Sequence, residues 1–206
     1  MNEYLIIENQ YFPIVNWFKY SFRKKYIILD GCEAYKKMSF RNRTVVCGSN
    51  GLISLSVPIV SGRRQKTPFK DIRISYQEKW MINHWRTIFS CYGKSPFFDY
   101  YSRDLEKLLG ERHLYLFDLN LAALEWLRKV LRFPAEIIVA DSINIIDYKE
   151  IAEDNSDKWR PNNFQAGDIL VKYPQVFEDR IGFQPNLGVL DLLFNMGPSA
   201  IDLLQS

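Results

Sequence analysis

Two apolar runs, Tyr4-Leu5-Ile6-Ile7 and Tyr26-Ile27-Ile28-Leu29, frame a segment that opens at Pro13 and carries Ile14, Trp17, Phe18 and Phe22 at helical spacing. Unbroken runs of β-forming residues suit strands buried on both faces, which parallel sheets contain. Proline fits a first helical turn, where its missing amide has no partner to lose. The chain therefore starts strand, helix, strand, and such a unit makes a right-handed crossover between parallel strands. This opening predicts an α/β fold.

Beyond it, Thr44 to Cys47 and Leu52 to Val57 flank Gly48-Ser49-Asn50-Gly51, whose Asn-Gly step suits a tight hairpin turn. Asp71 to Ser75 alternates like a further strand. From Glu78 the period becomes helical, with Met81, Ile82, Trp85, Ile88, Phe89 and Tyr92 in one stripe that ends at Gly93. A short aromatic segment, Phe97 to Tyr101, precedes a helix over Arg103 to Leu109. A longer helix runs from Leu114 to Leu131 and closes before Pro134, and Ile137 to Val139 returns as a strand. Asp141 to Gly167 shows little period and reads as a long surface connection or lid. Asn186 reads as the N-cap of an apolar helix, Leu187 to Phe194, that Gly197-Pro198 stops. With no repeat and no linker, residues 1–206 are expected to form a single domain: a central mixed, partly parallel sheet flanked by helices, with a β-hairpin insertion.

Composition narrows the function classes. The chain has 206 residues, 47% hydrophobic and 15% aromatic, enough apolar mass for a sizeable core. A net charge of +3 is too small for a nucleic-acid-binding domain. The densest basic cluster, Arg63, Arg64, Lys66, Lys70 and Arg73, reads as a solvated loop or as a patch for a phosphate-bearing ligand. Cys32, Cys47 and Cys91 are odd in number and far apart, which suits reduced thiols in a cytoplasmic protein and neither a disulfide framework nor a zinc site. No signal peptide and no membrane span are expected from the sequence.

Several constellations carry chemistry. Tyr35 to Arg43 packs Lys36, Lys37, Arg41, Asn42 and Arg43 between the second strand and the hairpin, where α/β sheets place ligand loops. Arginine forks suit carboxylates and phosphates. Charge spacing is shared by an anion site and by a solvated loop with one structural arginine, and both readings stand. Asp191 lies alone in the apolar helix and must find a partner or take a proton, with Arg41 or Arg43 as the expected partner. That carboxylate is a candidate base, and Asn186 and Asn195 at the ends of the helix are candidate ligand contacts. His84 beside Trp85 is a candidate acid or base. The two histidines, His84 and His113, lack acidic partners at ligand spacing, so no metal is expected, and no cofactor motif occurs.

Taken together these segments resemble the WbqC-like family. Tyr11-Phe12-Pro13 matches the end of its amino-terminal motif. Tyr35, Lys37, Ser39, Phe40, Asn42 and Arg43 match its second, and Trp80, His84 and Trp85 its third. Ser95 to Phe98 is similar to a Bacteroidetes-type branch. Tyr173, Gln175 and Phe177, then Gly182 to Leu187 and Leu190 to Pro198, resemble its carboxyl-end signature. The resemblance implies a role in surface-polysaccharide (O-antigen-type) assembly, with acyl or aminoacyl transfer to a nucleotide-linked amino sugar as the expected reaction. Lys37, Arg41 and Arg43 would then bind a nucleotide sugar or acyl donor, with Tyr11 or His84 near the chemistry. The family's amino-end histidine falls on Ile7 here, so a role for imidazole at that position does not carry over. The alternative is a non-catalytic binding or scaffold protein of envelope assembly, which would present an aromatic patch around Phe97 to Tyr101. A homo-oligomer is compatible with either.

Overall fold

A computed structural model describes residues 2–60, 66–167 and 171–206. Arg63 and Arg64 of the basic cluster lie outside the described residues.

Strand β1 (Tyr4–Ile6) leads through helix α1 (Val15–Ser21) to β2 (Tyr26–Asp30), and the two strands pair in parallel from Tyr4↔Tyr26 to Ile6↔Ile28. The hairpin follows as β3 (Arg43–Gly48) and β4 (Gly51–Ser56), antiparallel from Arg43↔Ser56 to Gly48↔Gly51. Gly51, at φ 123°, supplies the left-handed backbone its turn needs. Then come α2 (Trp80–Tyr92), α3 (Phe98–Gly110), α4 (Leu116–Val130) and β5 (Glu136–Ala140). After them lie α5 (Asn144–Ile151), the two-residue β6 (Glu153–Asp154), α6 (Glu178–Ile181), α7 (Val189–Met196) and α8 (Ala200–Gln205). β5, β2, β1 and β6 form one sheet in that order, parallel throughout, while β3 and β4 pair antiparallel as a separate hairpin. The expected α/β architecture with a hairpin insertion holds.

Several local expectations change. The aromatic segment and the helix after it are one helix, α3, because Phe98, Tyr101, Leu105, Leu108 and Leu109 share a buried face. Asp71 to Ser75 forms no strand; it makes the isolated bridges Ile59↔Ile74 and Arg73↔Tyr115 and still buries Ile72 and Ile74. The Asp141–Gly167 connection contains α5 and β6, and β6 is a strand through its pairing with Leu5 and Ile6. Asn186 does not cap α7. It sits at φ 55°, and its Oδ1 accepts the backbone N–H of Asn16 in the first turn of α1 at 2.7 Å, while its amide donates to the carbonyl of Phe164 at 2.6 Å. It therefore fastens the start of α1, from 170 residues away.

Beside it Gly188 seats α7 against β3. Its N–H donates to Val45 O at 2.9 Å, and a Cβ there would stand 2.3 Å from Thr44 Oγ1 and 2.9 Å from Val45 O. Backbone cannot yield as a flexible side chain can. Gly188→Ala is expected to cost about 1–3 kcal/mol in urea denaturation, as overpacked cores do. An unchanged midpoint would contradict this close approach.

Candidate functional site

From β1 the chain moves to β2 and on to β5, then returns past β1 to β6. The direction of travel thus reverses at β1, and open α/β sheets bind ligands outside the carboxyl ends of the strands at such a reversal. The segments leaving those ends here are Ile7 to Gln10, Gly31 to Ser39 and Asn155 onward.

The first is polar yet buried: Glu8, Asn9 and Gln10 are 3%, 1% and 0% exposed. Buried polar groups persist only when bonded, and most of these are. Glu8 Oε1 accepts from Gln10 Nε2 at 2.6 Å, Glu8 O from Trp17 Nε1 at 3.0 Å, and Gln10 Oε1 from Ile14 N at 3.2 Å. Asn120 of α4 ties this segment to the basic loop, donating to Asn9 O and Arg41 O at 3.3 and 2.7 Å. In the second segment, Asp30 Oδ1 accepts the N–H groups of Cys32 and Glu33 at 2.9 and 3.0 Å, a local turn that aims Glu33.

Arg41 lies where the three segments meet and is wholly buried. Its Nε and NH2 fork onto both oxygens of Glu33 at 2.7 and 2.6 Å, and its NH1 reaches Asp157 Oδ1 at 2.6 Å. The other oxygen of Asp157 takes the ammonium of Lys36. Glu8 Oε2 accepts the N–H of Asp157 at 2.8 Å, which fixes the third segment over the first. The two carboxylates on Arg41 respond differently. At Glu33 burial outweighs Arg41 and pushes the carboxyl above its ordinary value. Burial also opposes charge at Asp157, but the hydrogen bonds from Arg41 and Lys36 prevail and hold it low. At Glu8 burial dominates and raises the carboxyl against the charge of Arg41 and its bonds to Asp157 N–H and Gln10.

Above this network opens a cavity of about 620 Å³. Lys36, Lys37 and Arg160 bring cations to it, Ser39 and Asn162 neutral polar groups, and Asp157 a carboxylate. Lys37 and Arg160 have no side-chain bond to a described residue, whereas Lys36 is paired. Met38 and Asp157, at φ 52° and 57°, also border the cavity. Left-handed backbone is costly away from glycine, and such strain gathers at functional sites.

The candidates from the sequence distribute unevenly. Lys37 lines the cavity. Arg41 lies beneath it, wholly buried, with three hydrogen bonds to carboxylates, so it holds the floor. Asn42 donates to Val57 O at 3.0 Å and secures the hairpin. Arg43 begins β3 opposite Ser56. Tyr11 and His84 do meet, with the hydroxyl 3.0 Å from Nδ1, but both are buried and neither lines the cavity over Arg41. Burial lowers the His84 imidazole to about 4 despite a bond to the Ser56 backbone, so it is neutral at pH 7.

Asp191 corrects an expectation. Its partner is neither Arg41 nor Arg43 but Tyr92, whose hydroxyl donates to Oδ2 at 2.8 Å and accepts Cys47 N–H at 2.9 Å. Asn195 donates to Asp191 O at 2.8 Å and lies 3.4 Å from Oδ1. Arg41 is instead bonded to Glu33 and Asp157. Glu8, Glu33, Asp157 and Arg160 are not among the candidates from the sequence, and Lys36 enters there only as a member of the basic loop. The available signal was Glu8-Asn9-Gln10, a polar run directly abutting a fully apolar strand.

A model of the WbqC-like protein family matches residues 9–157. That span includes Lys36, Lys37, Arg41 and Asp157 and stops before Tyr173 to Pro198. An uncharacterized protein of Mycobacterium tuberculosis is 25% identical over 229 aligned positions, covering 100% of this chain and 98% of that protein. No solved structure matches significantly. Among the described residues no helix is long and apolar enough to cross a membrane.

Proposed function

The chain belongs to the WbqC-like protein family, and from that premise we propose an enzyme of surface-polysaccharide assembly that binds a nucleotide-linked sugar in the cavity over Arg41. The reaction we assign is acyl or aminoacyl transfer to an amino sugar. The observation that carries the reading is a pair of cations, Lys37 and Arg160, with no side-chain partner among the described residues, at a cavity of about 620 Å³ beyond the carboxyl ends of β1, β2 and β6. That volume suits a small-molecule ligand. Two cations on opposite segments match a diphosphate, and Tyr35, Met38 and Pro161 offer apolar surface beside them. The scaffold alternative needed a broad aromatic patch. Phe98 and Tyr101 are buried instead, Phe97 is half-buried, and Tyr100 and, beside Phe98, Phe89 are exposed.

A thermal-shift panel of uridine and thymidine diphosphates, their sugar conjugates and acyl thioesters tests the reading. Nucleotide diphosphates are expected to raise the melting temperature. Lys37→Ala combined with Arg160→Ala is expected to weaken binding at least about tenfold, since each charge-assisted bond contributes roughly 1.5–3 kcal/mol. The melting temperature of the double variant without ligand should match wild type. No stabilisation across the panel would remove the proposal.

A further inference from the structure

We propose that Asp157 Oδ2 is a subsite for a primary ammonium on the ligand, and that Lys36 holds that place in this structure and yields it on binding. The inference rests on the anion-binding reading above and names a second chemical requirement of the same cavity.

The two cations on Asp157 are unequal. Arg41 is permanent: it is completely buried, has three hydrogen bonds to carboxylates, and cannot leave without stranding Glu33. Lys36 is exchangeable, because its side chain is 50% exposed, its one ion pair among the described residues is to Asp157, and its flexible stem gives its ammonium other places to go. Asp157 itself is built to stay. Its side chain is 7% exposed, its N–H is held by Glu8, and its left-handed backbone keeps it at the edge of the cavity. Asp157 therefore lines the cavity with a replaceable ammonium on its Oδ2.

Charge accounting gives the ligand class. A purely anionic ligand meets Lys37 and Arg160 but leaves Lys36 committed to Asp157. A ligand bearing both a phosphate and a primary amine replaces the ammonium on Asp157 with its own. It then frees Lys36 to join Lys37 and Arg160 at the phosphate. The cavity so selects phosphorylated compounds that carry a primary amine over their hydroxyl counterparts.

Calorimetric titration of the full chain with glucosamine 6-phosphate and glucose 6-phosphate separates the possibilities, because the two differ by one amine. Wild type is expected to bind the amine at least about tenfold more tightly, the worth of one charge-assisted bond. Asp157→Asn should abolish that preference, and Lys36→Met should keep or widen it. Lys36→Met leaves Arg41 on Asp157, so it reports even if Asp157→Asn fails to fold. Equal wild-type affinities would overturn this inference and leave the anion cavity standing. A preference lost in Lys36→Met but kept in Asp157→Asn would also overturn it. Failure of both sugars to bind would remove the anion cavity and this inference with it.

Discussion

Arg41→Ala is expected to destabilise the protein by about 3–5 kcal/mol, the cost of leaving buried carboxylates without their cation. Glu33 loses both of its bonds to the guanidinium, Asp157 loses one, and Glu8 loses the nearby positive charge that offsets its burial. The loss is structural before it is functional, since the guanidinium joins the segments leaving β2 and β6. Arg41→Lys keeps a charge but not the planar fork, so it should recover part of the stability and not all. Urea denaturation of the three proteins checks this. Equal midpoints for wild type and Arg41→Ala would mean that the network contributes nothing to the fold.

The second large effect is a pH dependence centred on Asp191. Burial is its main cause and lifts the carboxyl from 3.8 to about 6, against the hydroxyl of Tyr92 and the amide of Asn195. The folded protein thus holds this proton more tightly than the unfolded chain. The resulting stability is fully present below the unfolded value of 3.8 and is lost as pH rises through about 6. A rise of that size corresponds to on the order of 3 kcal/mol. Asp191→Asn cannot titrate there. Relative to that variant, wild type should lose on the order of 3 kcal/mol between about pH 4 and pH 7, read from urea midpoints across the range. Parallel profiles for the two proteins would show that Asp191 stays ionised in the fold with no penalty.

These two centres explain which parts of the molecule the sequence reveals. The β1–α1–β2 unit and the hairpin are legible because local pattern decides them: apolar runs, Pro13 before the helix, and Asn50-Gly51 in the turn. β6 is not legible, because Glu153 and Asp154 become a strand only when Leu5 and Ile6 lie beside them. At the site, the cations of the Tyr35–Arg43 loop are visible as a cluster, and Lys37 does face the cavity. Their roles are not visible, since Arg41 is claimed by Glu33 eight residues back and by Asp157, 116 residues on. The Asp191 pairing was misassigned for the same reason. A lone carboxylate in an apolar helix announces that it needs a partner, and only the fold chooses Tyr92 over an arginine. The family resemblance leaned on the carboxyl-end signature, whereas the family match covers residues 9–157, where most of the network lies.

The central claim is that the cavity over Arg41 takes the phosphates of a nucleotide-linked sugar. A crystal structure of the protein with uridine diphosphate N-acetylglucosamine tests it most directly. Density for the diphosphate is expected between Lys37 and Arg160, with Arg41 unmoved beneath. Density for the diphosphate elsewhere, at the Arg23 to Lys25 surface or in the cleft between Tyr100 and Arg132, would contradict it.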